Sequence, residues 1–396
     1  MAQIAVLERK CTGCGLCQRN CPFGAIDMVN GKPELNAACK VCGICVKNCP
    51  EKAILKLETK VDSVDKSKWN DILVFAEVSG GRLHPVGLEL IGKARELAAG
   101  VPGFKVKAIL VGEGVSAYAE ELRHYGVSEI AVYDDQELGY YRADAYAACV
   151  EDYIKFAKPS VVLVGATALG RSLAPRLSTR FHTGLTADCT TLLLRENTDL
   201  VQIRPAFGGN IMAQIVTTNT RPQFATVRYK VMNPPVRENE AAGEIVPRKI
   251  PKAVFACPSS CVSVKPIPPK NSISDAEILV VGGRGLQKEN DLDMVKELAA
   301  LLGGDWAVTR PLVEKGWTTN ERQIGLSGRT VRPRLIITCG VSGAIQFTAC
   351  MNGSEHIVSI NTDKDAPIFD TAHVAIEGDL YEIVPDLIGR LKEGKA

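Results

Sequence analysis

Eight cysteines lie between Cys11 and Cys49 in two runs of identical spacing, and no other feature restricts the fold of this 396-residue chain as tightly. Cys11, Cys14, Cys17 and Cys21 are separated by two, two and three residues and followed by Pro22. Cys39, Cys42, Cys45 and Cys49 repeat the run ahead of Pro50. Such density in a small secreted chain would read as a disulfide framework. This chain is large, and its first segment holds no apolar core of the export-signal type. A cytoplasmic protein with reduced thiols is therefore expected, and such thiols ligate metal.

A C-x2-C-x2-C-x3-C-P run is that of bacterial two-cluster ferredoxins, in which the fourth Cys serves the other cluster. Three closely spaced thiolates wrap one corner of a cubane, and a distant fourth closes it. Cys11, Cys14, Cys17 and Cys49 are thus expected to hold one 4Fe–4S cluster, and Cys39, Cys42, Cys45 and Cys21 the other. Zinc knuckles would want pairs of cysteines rather than four ligands in a run. Gly13, Gly15 and Gly43 would let the backbone approach the sulfides. Each copy ends in Cys-Pro and an apolar pair, Ala25-Ile26 and Ala53-Ile54, so the two halves predict a small pseudo-symmetric α+β domain over residues 1–58. Its eight Lys or Arg against five Asp or Glu leave the domain near neutral once two anionic clusters are bound.

The rest of the chain has another texture. Apolar residues make up 46% and charged residues 23%, which suits globular domains and excludes disorder. A net charge of +2 gives no footprint for nucleic acid, and no apolar run is long enough for a membrane span. A polar linker is expected over 59–70. Continuous apolar runs at Ile72–Ala76, Val106–Val111, Glu129–Tyr133 and Val161–Gly165 read as strands buried on both faces. The helix between the first two, Gly87–Ala99, would bury Leu88, Ile91, Ala94 and Leu97–Ala98. A doubly wound α/β domain is expected over 71–264. Prolines in KPIPPKNSIS mark a hinge over 265–274. A second α/β domain over 275–396 follows, with strands at Ile278–Gly282, Leu335–Thr338 and His356–Ile360 and a helix at Leu292–Leu302. Cys149, Cys189, Cys257, Cys261, Cys339 and Cys350 read as structural.

Chemistry gathers in this last domain. ILVVGGRGL carries Arg284 into a Gly-rich turn at the carboxyl end of a strand, where α/β sheets bind cofactors. IGLSGR supplies Ile324, Gly325 and Ser327. LIITCGVSGAIQF places Ser342 and Gly343 ahead of an expected helix, a site for pyrophosphate. IVSINTDKDAPIF ends a strand at Asn361, and GDLYEIVPDLI puts Asp379 and Leu380 at a helix start.

With these segments, and with DILVFAE, LVGATALGRSLAPRLSTRFHTGLTADC and RPAFGGNIMAQIVT before them, the chain resembles the α subunit of electron transfer flavoproteins (Etf) from about Asp71 to its end. The resemblance implies FAD in the last domain, held by Arg284, Thr309, Arg310, Ile324, Gly325, Ser327, Ser342, Gly343, Ala344, Ile345, Gln346, Asn361, Asp379 and Leu380. Arg284 and Arg310 would stabilise negative charge on reduced flavin. Two positions depart from the family's usual residues: Phe347 stands where His is common, and Leu326 where Gln is common. Both departures would shift the flavin's potentials. Arg171 and Arg176 are expected to meet a flavin phosphate, a partner or solvent.

Ordinary Etf α subunits lack the cluster domain. Its fusion resembles electron-bifurcating Etf complexes of the caffeyl-CoA reductase type, which implies an oxidoreductase subunit rather than a complete enzyme. The implied partners are an Etf β subunit with a second FAD and the NADH site, an acyl-CoA dehydrogenase-type flavoprotein acting on an enoyl-CoA, and soluble ferredoxin receiving the low-potential electron through the clusters. Two alternatives stay open: a non-bifurcating adaptor between ferredoxin and a dehydrogenase, and the Etf subunit of a lactate dehydrogenase complex. A self-contained NADH site is disfavoured, because no G-x-G-x-x-G with a following acid occurs.

Overall fold

The computed structural model describes residues 2–58, 64–206, 211–265 and 272–394. Residues 59–63 of the expected linker, 266–271 of the expected hinge and the segment 207–210 lie outside the described residues. The chain forms two compact units, Met1–Val64 and Asp65–Ala396.

In the first unit, Ala2–Val6 pairs antiparallel with Ile54–Glu58, joining the start of one half to the end of the other. The hairpin Ile26–Val29/Lys32–Leu35 turns at Asn30-Gly31, both at positive φ, the signature of a two-residue type I′ turn. Each cysteine run folds into one helical turn, Leu16–Arg19 and Ile44–Lys47, entered through left-handed Gly15 and Gly43. Ala25, Ile26, Ala53 and Ile54 are buried with Cys17 and Cys45. The expected apolar pairs thus form the small core.

The second unit is α/β. Its larger sheet has seven parallel strands in the spatial order Leu185–Cys189, Gln223–Val227, Pro159–Gly165, Asn70–Phe75, Val106–Gly112, Glu129–Asp134 and Glu244–Pro247. Ile72 and Val74 point into one core while Leu73 and Phe75 point into the opposite one, so the runs are apolar throughout. An antiparallel three-stranded sheet, Thr191–Leu194, Leu200–Ala206 and Ile211–Val216, is inserted before the second strand of that order. The smaller sheet has five parallel strands in the order Asp305–Val308, Ile278–Gly282, Leu335–Cys339, His356–Asn361, Val374–Glu377. Both sheets carry helices on both faces. Lys66 pairs with Asp199 at 2.7 Å and Trp69 packs on the core, so the chain from Asp65 onward belongs to this unit. Among the described residues no helix is long and apolar enough to cross a membrane.

The helix Pro85–Ala99 buries Ile91, Ala94 and Leu97 as expected, but its buried face is wider and shifted. Leu90 is fully buried, whereas Leu88 and Ala98 are only half-buried. The reason is a second cover: the chain after Gln223–Val227 lies along the helix, and Glu89 accepts both the Lys230 N–H (3.0 Å) and a bond from Met232. Burial pushes the Glu89 carboxyl up to about 7, against the pull of those amides and of Lys230 and Arg332. In the unfolded chain it titrates near its usual 4.5. As pH rises through the window from 4.5 to 7, the unfolded chain ionises before the folded one, so native stability falls and then levels off. The contribution is on the order of 3 kcal/mol. Denaturant midpoints followed by the fluorescence of Trp69, Trp306 and Trp317, which all lie in this unit, should fall between pH 5 and pH 8 more steeply in wild type than in Glu89→Gln.

Candidate functional site: a cleft at the strand ends and two cysteine-lined cavities

Numbered along the chain, the five-stranded sheet has the order 2-1-3-4-5, so the connections reverse between Ile278–Gly282 and Leu335–Cys339. The crevice at such a reversal, outside the carboxyl ends of the strands, is where open α/β sheets take ligands. A cavity of about 800 Å³ opens there, with a second of about 330 Å³ beside it sharing Arg284 and Ser342. Every strand contributes its end: Arg284 follows the first, Thr309 and Arg310 the second, Val341 and Ser342 the third, Asn361 the fourth and Asp379 the fifth.

Of the fourteen residues expected at the FAD, the first cavity gathers Arg284, Thr309, Arg310, Ile324, Gly325, Ser327, Ser342, Ala344 and Gln346. The second adds Asn361, Asp379 and Leu380. Asn361 donates to Val341 O (2.8 Å) and accepts from Asp363 N (3.0 Å), bracing the turn rather than standing free. Asp379 caps the helix Leu380–Lys392 by accepting the Tyr381 N–H (2.9 Å). Ser327 accepts from Gln323 Nε2 at 2.8 Å. Two residues lie apart from both cavities. Ile345 is exposed and lines a separate groove. Gly343 faces protein: a Cβ there would come within 2.1 Å of Ile368 N, and its φ of +86° favours glycine. The helix expected after Gly343 is a single turn, Ile345–Thr348, so individual N–H groups rather than a long helix dipole face the crevice. The N–H groups of Gly343, Ala344 and Ile345 make no hydrogen bond among the described residues.

No motif singles out the cavity's other wall. Asp188, Arg204, Pro205, Ala206 and Arg228 reach it from the larger sheet and its inserted strands, and Gln323 from the smaller one. Arg171 and Arg176 do not line it. Arg171 clasps Asp188 through Nε and Nη2 (3.2 and 3.1 Å), and Arg176 pairs with Asp144 at 2.9 Å. Four guanidinium groups and one carboxylate thus border a volume within the range of cofactor sites. Leu326 and Phe347, the two unusual residues, both stand in its wall. The donors, the cations and the glycine-tight turn fit an anionic dinucleotide such as FAD.

The reversal point of the larger sheet, between Asn70–Phe75 and Pro159–Gly165, is bridged by a hydrogen bond between the two strand ends. Thr167 caps the helix Ala168–Arg180 and donates its hydroxyl to buried Glu77. Burial holds that carboxyl above its usual range. A carboxylate there disfavours phosphate.

In the first unit the thiols line two cavities. One holds Cys11, Cys14, Cys17 and Cys49 with Leu16, Met28, Pro33 and Ile54. The other holds Cys21, Cys39, Cys42 and Cys45 with Ile4, Phe23, Ile26 and Leu35. The fourth cysteine of each run sits with the first three of the other, the exchange expected from the spacing. Among the described residues no three His, Cys, Asp or Glu close on a single metal ion. The exchanged thiols have matched partners: Ala25 N donates to Cys21 Sγ and Ala53 N to Cys49 Sγ, both at 3.3 Å. N–H donors to sulfur are what stabilise cluster thiolates. Burial raises the Cys17 and Cys45 thiols, so cluster assembly must expel their protons.

Cys21→Ala should therefore remove the cluster of the second run, not its own. Iron analysis should show half the iron lost in Cys21→Ala, no further loss in Cys21→Ala/Cys42→Ala, and complete loss in Cys21→Ala/Cys14→Ala. Gly343→Ala should lower the FAD content of the purified protein by tenfold or more while leaving iron unchanged.

Comparison with known proteins agrees with this geometry. Residues 72–253 match the electron transfer flavoprotein domain, residues 272–352 the electron transfer flavoprotein FAD-binding domain, and residues 10–54 a 4Fe-4S dicluster domain. The chain is 52% identical over 371 residues to the lactate dehydrogenase (NAD(+),ferredoxin) subunit LctC of Acetobacterium woodii, covering 93% of this chain and 88% of that one. It is 41% identical over 328 residues to the electron transfer flavoprotein subunit alpha of Thermoanaerobacterium thermosaccharolyticum, with 83% and 99% covered. Protein FixB of Azorhizobium caulinodans is 40% identical over 324 residues, with 81% and 88% covered. With its cleft at the strand ends and its two exchanged cysteine quartets, the chain belongs to the electron transfer flavoprotein α-subunit family and carries FAD and 4Fe–4S clusters as its cofactors.

Proposed function

We propose that this chain is the electron-transfer subunit of a lactate dehydrogenase complex that couples NAD and ferredoxin. The observation that supports it is a flavin cleft and two cluster cavities on one polypeptide, in a chain 52% identical to a subunit of that description. This favours the lactate alternative over an acyl-CoA dehydrogenase-type partner. The implied assembly contains an Etf β subunit with a second FAD and the NAD site, soluble ferredoxin, and a lactate-oxidising flavoprotein. Division of the chain at 1–58, 71–264 and 275–396 puts the clusters in the first part and the flavin cavity in the third, with a wall from the second.

Bound FAD would exchange electron pairs with single electrons, and the clusters carry them singly. The chain's residues prepare the site for this. Arg284, Arg310, Arg204 and Arg228 place positive charge where negative charge builds up on reduction. The Ala344 N–H, unbonded among the described residues in a residue that lines the cavity, and the Arg284 side chain would hold the pyrophosphate. Apolar side chains wall the inner side of each cysteine quartet, where Cys17 and Cys45 are buried, while Cys14 and Cys42 stand at the surface, where a carrier can approach. In the wider complex these parts would let the low-potential electron pass between the β-subunit flavin and ferredoxin by way of the clusters.

Lactate-dependent reduction of NAD+ by the anaerobically purified complex should require reduced ferredoxin, and Cys17→Ala should abolish that requirement's source by stopping electron entry from ferredoxin. Turnover with an enoyl-CoA and none with lactate would overturn the assignment. Lactate turnover indifferent to ferredoxin would leave a simple adaptor.

A further inference from the structure

Arg228 stands at the carboxyl end of the strand Gln223–Val227, yet its side chain is bonded into the half built on the five-stranded sheet. Nη2 donates to Leu326 O at 3.0 Å and Nη1 to Cys350 Sγ at 3.7 Å. Leu326 N in turn donates to Gln346 O at 3.0 Å, so the carbonyl that Arg228 grips belongs to the turn closing the cavity over Gln346. On its own side Arg228 faces Asp188 at the longer distance of 3.6 Å. Asp188 is already fixed, by both nitrogens of Arg171 and by an N–H bond to Thr226 Oγ1 (2.9 Å), with its backbone at φ +58°. The shortest bond of the Arg228 side chain therefore runs across the two halves. Its Nε is buried with no hydrogen-bond partner, an expensive state for a guanidinium donor, and the residue lines the flavin cavity.

We propose that Arg228 is a positioning residue for the flavin, clamping the Leu326 turn and adding to the cavity a positive charge that is present only while the two halves are docked. The inference rests on the cavity being the FAD site. A cation beside a ring system that gains negative charge on reduction favours the reduced form. Parting of the halves withdraws that cation and makes the flavin a stronger reductant. By linkage, reduction must tighten the docking by the same factor.

The test compares wild type, Arg228→Met, Arg228→Lys and, as a control outside the cavity, Arg176→Met, each as full-length protein loaded with FAD. Spectroelectrochemistry reads the flavin potential, and amide exchange reads residues 325–328 and 349–351. Arg228→Met should lower the reduction equilibrium at least tenfold, about 30 mV for a two-electron couple, and speed exchange in both segments. Arg228→Lys should keep most of the potential while exchanging as fast as the Met variant, which separates charge from grip. Arg176→Met should leave the potential at its wild-type value. If Arg228→Met does not fold, Arg228→Lys decides: unchanged exchange there overturns the clamp. Wild-type potential and exchange in a folded, FAD-loaded Arg228→Met overturn the proposal and leave the FAD site standing. Failure of wild type to bind FAD would overturn both.

Discussion

A parallel strand cannot be joined to its neighbour by a tight turn, so the chain must cross over and re-enter from the same end. In the five-stranded sheet this puts every carboxyl end on one edge, and the reversal of winding between Ile278–Gly282 and Leu335–Cys339 parts the connections there. Arg284, Thr309, Ser342, Asn361 and Asp379 are far apart in sequence and meet because topology leaves them no other place. The seven-stranded sheet also reverses its winding, between Asn70–Phe75 and Pro159–Gly165, and there Thr167 and Glu77 bond to each other across the gap. One architecture therefore serves as receptor in one half and as scaffold in the other.

What the sequence disclosed follows from the range of the forces involved. Cysteine spacing is a local constraint, and the exchanged quartets follow from it directly. Strands buried on both faces show as unbroken apolar runs, and Ile278–Gly282 or Val106–Gly112 could be read almost to the residue. The residues at strand ends were legible through motifs. Arg228, Arg204 and Asp188 were not: Asp188 and Arg204 lie in segments that mark the family, but they come from strands of another sheet and only the fold brings them to the cavity. Arg171 looked available and is spent on Asp188. The buried face of Pro85–Ala99 was misjudged toward Leu88 because a distant segment, held by Glu89, covers the side that a two-layer packing would leave wet. The short turn Ile345–Thr348 was expected as a longer helix for a related reason: Val331 N reaches across to Cys350 O, and tertiary bonds take over where helix propagation would have continued.

The two kinds of cofactor site use the polypeptide differently. The flavin cleft is built of charges and turn amides from many elements and spans two halves, so its properties depend on how those halves meet. The cysteine quartets are built of covalent-strength ligands within about forty residues, walled by aliphatic side chains, and depend on little beyond their own loop geometry.

That loop geometry is less symmetrical than the repeated sequence. Gly13 is left-handed at φ +75°, and a Cβ there would lie 2.6 Å from Gly31 O, so the hairpin presses directly on the first loop. Its counterpart Val41 adopts φ +54° with a branched side chain, a conformation that L-residues with a branched Cβ seldom hold. Duplication has thus produced a pair of loops that are no longer exchangeable: one tolerates only hydrogen at its tightest point, the other carries an isopropyl group under torsional load. Any carrier approaching this small unit meets two chemically distinct rims, and the unit has acquired a polarity that its repeated cysteines alone would not confer.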